Sequence, residues 1–85
     1  MEKVRIFDLR PIDGRKSFYG KAKVVASDTV VWLYSYNTLV CAYIPETLEF
    51  KRIWNGYSAT TMRHVNAFRG MYYMKPLSKA DWLSL

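Results

Sequence analysis

The sequence predicts an α+β fold: a curved antiparallel β-meander of three to five strands packed on one C-terminal α-helix. Three observations lead there. Runs rich in β-branched and aromatic residues, broken by turn dipeptides, occupy residues 4–54. One stretch with helical spacing and its own N-cap follows at 58–70. With 85 residues the chain holds a single core, so residues 1–85 are expected to form one domain.

Val4–Leu9 reads as the first strand, with Val4 and Ile6 on one side. Arg10-Pro11-Ile12-Asp13-Gly14-Arg15 follows as a turn or loop, because Pro11 and Gly14 both interrupt regular structure and Asp-Gly favours a tight turn. Phe18–Ala26 reads as the second strand. Phe18, Ala22, Val24 and Ala26 alternate with Lys21 and Lys23, the period of a half-buried strand. Ser27-Asp28 is a polar break that fits a hairpin turn.

Thr29–Ile44 is dense in β formers and is long for one strand, since about five or six residues is typical. It fits either one strand bent by a bulge near Ser35–Thr38 or two strands joined by a tight turn on Asn37. The bent strand is preferred, because a small sheet must curl around its helix and bulges supply the curl. Pro45-Glu46-Thr47 closes the run, Leu48–Trp54 is the next strand, and Asn55-Gly56 is the strongest turn dipeptide in the chain.

Ser58 is placed to cap a helix over Ala59–Arg69. Met62, Val65, Phe68 and Tyr72 make its buried stripe, with Thr60, Arg63 and Asn66 opposite. Gly70 fits the C′ position. At 1.5 Å per residue the helix is only about 16 Å long, too short to stand alone, so it must pack on the sheet. Beyond Pro76, Ser78-Lys79-Ala80-Asp81 resembles a capping box and leads into one helical turn whose Trp82 docks on the body.

Composition removes several classes of function. The single Cys41 rules out an internal disulfide, and one cysteine with one histidine cannot make a structural zinc site. No apolar run approaches the ~18 residues of a membrane span. Charges inside Met1-Glu2-Lys3-Val4-Arg5 do not match a secretory signal, and a lone cysteine fits a reducing cytoplasm. The core must instead rest on its apolar residues, 51% of the chain, among them three Trp, seven Tyr and four Phe.

No constellation for catalysis, cofactor or metal stands out. The seven carboxylates are scattered, and four glycines leave little material for a phosphate loop. Cys41, between Val40 and Ala42, reads as a buried structural thiol. His64 lies one helical turn beyond Thr60 and Thr61. A Thr–His pair is imaginable there, but a half-buried histidine bonded to a neighbouring group is the expected state. The hydroxyls of Ser58, Thr60 and Thr61 at the helix start are expected to serve capping rather than anion binding. The chain is therefore expected not to be an enzyme.

Charge is the remaining clue. Thirteen Lys and Arg against seven Asp and Glu give a net charge of +6. Arg10, Arg15, Lys16, Lys21 and Lys23 form one group, beside Tyr19. Lys51, Arg52, Arg63 and Arg69 form a looser second group, beside Trp54 and Tyr57. Positive charge tracks phosphates and exposed aromatics stack bases. The same residue types also make protein hot spots if tyrosines such as Tyr34, Tyr36 or Tyr43 face outward. These twelve basic and aromatic residues are the candidate binding surface.

Tyr19-Gly20-Lys21-Ala22, Ser35-Tyr36-Asn37-Thr38 with Val40 and Ala42, Tyr57-Ser58-Ala59-Thr60-Thr61, Arg63-His64-Val65-Asn66 and Phe68 resemble a family of small proteins of bacteria, phages and other mobile elements. The resemblance spans about residues 19–69, and Tyr-Ser-x-Thr-Thr-x-x-His is its most specific part. The chain departs from it in Cys41, which reads as an insertion before Ala42, and in its ends, 1–17 and 70–85. The resemblance implies a β-meander followed by a helix. It also implies a phage or mobile-element protein in the bacterial cytoplasm that docks on a host protein or nucleoprotein complex, such as a nucleic-acid-guided defence nuclease (an anti-CRISPR-like role). Direct binding of single-stranded DNA or RNA through the basic, aromatic-flanked surface is the alternative.

Overall fold

The computed structural model describes residues 3–11, 18 and 20–85. Five strands, β1 (Arg5–Asp8), β2 (Ala22–Ala26), β3 (Val31–Ser35), β4 (Thr38–Ile44) and β5 (Glu49–Arg52), form one antiparallel sheet in the order β1-β2-β3-β4-β5. Two helices follow, α1 (Ala59–Gly70) and the short α2 (Lys79–Leu83). The predicted α+β meander with a helix near the C-terminus is thus the observed architecture. The expected turn at Ile12–Arg15 lies outside the described residues.

The run from 29 to 44 is two strands, not one bent strand. Tyr36 (φ 51°) and Asn37 (φ 68°) both lie in the left-handed region and form a two-residue turn closed by the Ser35–Thr38 pair. Two positive φ values match the right-handed twist of a hairpin. A bulge is present, but further along. Leu33 pairs with Cys41 and Tyr34 with Leu39, so Val40 has no partner of its own. Val40 and Cys41 therefore both point into the core, and the Val40 carbonyl accepts the backbone N–H groups of Ile53 and Trp54, each at 2.9 Å.

Three other boundaries differ from the sequence reading. The second strand starts at Ala22 rather than Phe18, because Gly20 takes φ 72° and Lys21 N–H donates to Phe18 O at 2.9 Å. Asn55-Gly56 forms no hairpin turn but sits in an irregular connection, where the Gly56 α-carbon lies against the Trp54 indole. Gly70 is the last helical residue rather than C′. The cap is Met71 in the right-handed region, and the left-handed position falls on Tyr73.

The sheet has two unlike faces. Its inner face carries Ala22, Val24 and Ala26 of β2, Val31 and Leu33 of β3, and Cys41 and Tyr43 of β4. Met62, Val65, Ala67 and Phe68 of α1 join them in one core, with Leu9, Phe18 and Trp82 at its margins. Burying a side chain of this size contributes about 1.5–3 kcal/mol, so α1's apolar stripe supplies the stability a helix of 12 residues lacks alone.

The segment after α1 is held by side chain–backbone bonds. Asn66 pairs with both backbone groups of Leu77, at 3.1 and 2.8 Å. Ser78 and Asp81 form the expected capping box of α2, and Trp82 is completely buried (0% exposed) with its indole N–H on Gly56 O at 2.8 Å. Among the described residues no helix is long and apolar enough to cross a membrane.

Candidate functional site

The basic residues singled out by sequence divide by what they touch. Arg52 donates to the carbonyls of Trp54 (2.9 Å), Asn55 (2.6 Å) and Trp82 (3.1 Å), and its guanidinium lies 4.8 Å over the Trp82 ring. Arg69 donates to Lys75 O at 2.9 Å and lies 4.6 Å over Phe50. Both bind the chain to itself. Arg63, on α1, lies 5.2 Å over Phe18. Arg10 is exposed beside Phe7 and Met71. Trp54 is half-buried against the core, and Tyr57 is exposed with Lys79 4.8 Å over its ring. Arg15, Lys16 and Tyr19 lie outside the described residues.

Lys21, Lys23 and Lys51 are exposed on or beside the sheet face away from α1. Strand pairing aligns Ile6, Val25, Trp32, Ala42 and Lys51 in one row across all five strands, and Asp8, Lys23, Tyr34 and Leu39 in the next. Of the apolar residues in these rows only Ala42 is buried, at 5% exposure, and none belongs to the cluster packed under α1. Ile6 is 68% exposed, and Val25, Trp32, Tyr34, Leu39 and the nearby Ile44 are half-buried. Lys23 is paired with Asp8 at 2.9 Å, and Lys51 lies 4.0 Å from Glu49. The outcome is an apolar, aromatic-centred face with a charged rim. Of the tyrosines that sequence reasoning weighed as outward contacts, Tyr34 lies on this face and Tyr36 is exposed at the turn, whereas Tyr43 is buried. The row through Trp32 was not found, because Val31, Leu33 and Ser35 alternate with Trp32, Tyr34 and Tyr36, which are also β formers, so hydropathy does not tell one face of β3 from the other.

A second arrangement lies at the β3–β4 turn. Ser35 Oγ is 2.8 Å from His64 Nδ1 and 3.1 Å from Thr61 Oγ1. Ser35, Thr61 and His64 are all buried, His64 at 1% exposure. The imidazole is enclosed by Phe18 edge-on at 4.5 Å and Tyr36 at 5.7 Å. Burial, and secondarily the Arg63 charge, hold His64 below the ordinary imidazole pKa, so the ring favours its neutral form. Thr60, the other threonine of the imagined pair, is exposed. The histidine's hydroxyl partner therefore comes from the sheet, 29 residues away, and Thr61 of the helix bonds that serine. Among the described residues no carboxylate is bonded to this cluster, and no three His, Cys, Asp or Glu side chains group as metal ligands.

The cluster backs a pocket of ≈ 250 Å³ whose walls include Tyr36, Trp54 and Tyr57 and whose polar lining is Ser35, Thr38, Ser58 and Thr61. Ser58 caps α1, its oxygen accepting Thr61 N–H at 3.0 Å. A second pocket, ≈ 280 Å³, lies around the same turn, lined by Gly20, Lys21, Lys23, Tyr34, Tyr36 and Asn37. Tyr36 belongs to both and is 52% exposed.

Residues 7–84 match one family model, a family of unknown function, DUF8033. The chain belongs to DUF8033. The match runs from β1 through α2, so the DUF8033 region contains the sheet, the helix packed on it and the pockets at the turn. No curated protein and no solved structure matches the chain.

Proposed function

We propose that this DUF8033 protein is a non-catalytic binding module that docks through the outer face of its sheet on a host macromolecule, a protein whose contact surface is acidic around an apolar centre. One observation carries this reading: Ile6, Val25 and Trp32, continued by the buried Ala42, form an apolar row over four strands on the face away from α1, with Lys23 and Lys51 beside it. Protein interfaces have this anatomy, an apolar centre with an aromatic anchor and a polar rim. Trp32, on the central strand, is the anchor. The net charge of +6 favours an acidic partner and opposes a second copy of the same chain.

The resemblance to phage and mobile-element proteins supports a host component as the partner, with a nucleic-acid-guided defence nuclease as one member of that class. Its test is co-purification from nuclease-treated host lysate, comparing the wild-type chain with Trp32→Glu. The expected result is one acidic protein held in fixed ratio by the wild type and released by the substitution, which leaves the core untouched. Equal retention by both chains would remove the outer face from consideration. Loss of the captured material on nuclease treatment would assign the surface to nucleic acid instead.

A further inference from the structure

The pocket at the β3–β4 turn has features the docking face does not explain. Its wall residue Tyr36 sits at φ 51° in the first position of a two-residue turn. Asn, Asp or Gly is preferred there, because a Cβ with an aromatic ring is strained in the left-handed region. Backbone geometry alone would not select tyrosine. The ring contributes a contact with His64 and leaves half its surface to solvent. Strain retained for a side chain's sake is a feature of binding sites.

The lining is chemically specific. Among the described residues, three aromatic side chains, Val40 and four aliphatic hydroxyls surround it, with no carboxylate, amide or cation side chain. Ser58 uses its oxygen to cap the helix, and among the described residues its O–H has no acceptor; Thr38 likewise has no side-chain partner. Ser35, by contrast, is held in place by His64 and Thr61. The site thus combines a fixed hydroxyl floor with two hydroxyls free to turn as donor or acceptor. At ≈ 250 Å³ it falls just below the ~300–1,000 Å³ of sites for drug-sized ligands, which suits one flat ring system. A monosaccharide would call for carboxylates or amides, and none lines the pocket among the described residues. On the other side of Tyr36 are Lys21 and Lys23. Lys23 is engaged with Asp8, whereas Lys21 has no ion-pair partner among the described residues.

We propose that the turn is a nucleotide site: a nucleobase enters the pocket between Tyr36, Trp54 and Tyr57, its polar edge meets the hydroxyls of Thr38 and Ser58, and its phosphate passes round Tyr36 to Lys21. The aromatic walls supply stacking, which every base offers. Hydroxyls that turn freely accept either pattern of base edge, so the site selects a base over other groups without strong preference among the four. The site stands apart from docking by the Trp32 face. The nucleotide is either free or one unit of a single strand.

The experiment titrates the full chain, labelled with nitrogen-15, with each nucleoside 5′-monophosphate and separately with a ten-nucleotide single-stranded DNA. Saturable shifts are expected at the amides of Ser35, Tyr36, Thr38, Ser58 and Thr61. Shifts with both probes place a free nucleotide in the site; shifts with the strand alone place the base there as part of a polymer. Tyr36→Gly is the decisive variant, because glycine accepts the left-handed backbone and keeps the turn while removing the ring. It should weaken binding by at least about fivefold, the low end for an aromatic that stacks on a base. Lys21→Glu should weaken it and flatten its dependence on salt. The proposal fails if neither probe moves these amides at millimolar concentration. It fails equally if a folded Tyr36→Gly binds the strand as well as the wild type, for the strand would then be held by surface charge alone.

Discussion

Ser35 Oγ and His64 Nδ1 lie 2.8 Å apart, and this bond fastens the last residue of β3 to the second turn of α1. It joins the strand that centres the sheet to the helix that covers it. With Thr61 it satisfies three polar side chains that the fold buries. A satisfied buried network holds one geometry, whereas removing one member leaves the others unpaired.

The pH dependence of stability should carry the signature of His64. Its folded pKa is lowered, so the unfolded chain takes up the proton first. Its contribution is therefore complete above the ordinary imidazole value of about 6.5 and is lost as pH falls through the lower folded value. The melting temperature should be level above pH 7 and should decline as the pH falls below about 6.5. In His64→Gln that decline should be absent, with acid sensitivity beginning only where carboxylates titrate. A wild-type curve level down to pH 5 would contradict the assignment.

Truncating Trp82 should be the most damaging single change in the segment after α1. It removes a fully buried ring, a hydrogen bond to Gly56 and the surface under Arg52. Trp82→Ala should cost about 3–5 kcal/mol in urea unfolding. Trp82→Phe keeps much of the volume and should cost less than half of that. Equal losses would show that the hydrogen bond, not the packing, dominates.

Glycine at 56 is required for packing and glycine at 20 for backbone conformation. A Cβ on Gly56 would run into the Trp54 indole, so Gly56→Ala should cost about 1–3 kcal/mol. At Gly20 a Cβ meets nothing within 4 Å, and only the positive φ is strained. Gly20→Ala should then cost about 1 kcal/mol. Adding Trp54→Ala should abolish most of the Gly56→Ala penalty and leave that of Gly20→Ala unchanged.

Cys41 should behave as an inert thiol. Burial pushes its pKa far up, against a smaller opposing effect of the Arg69 charge. The native protein should react with a thiol reagent no faster than it unfolds, and at full rate in denaturant. Rapid modification of the native state would mean that the bulge at Val40 opens.

Much of the fold was legible because local signals agreed with one another. Ser58 ahead of Met62, Val65 and Phe68, and Ser78 three residues before Asp81, are signals read within one turn of chain, and both caps form as expected. Strand positions were legible for the same reason. Tyr36-Asn37 was not, since a tyrosine in a left-handed turn breaks the usual composition rule. Asn55-Gly56 misled in the opposite sense: a strong turn dipeptide was overruled by Arg52 and Trp54, which hold the segment irregular. The site was less legible still. Arg52 and Arg69 look like surface cations in sequence, and only their distant carbonyl partners identify them as clamps. Ser35 stood out only as part of the Ser35-Tyr36-Asn37-Thr38 motif, and its bond to His64 was not legible, because the two are 29 positions apart.

The order of the strands bears on how fast the molecule is made. Each strand pairs with its neighbour in the chain, so the sheet assembles through short closures that lose little chain entropy. The slow events are the distant ones, Ser35 meeting His64 and Arg52 meeting Trp82, separated by 29 and 30 residues. Refolding should therefore begin as a zipper of hairpins, and the rate at which α1 seats on the finished meander should set its overall time.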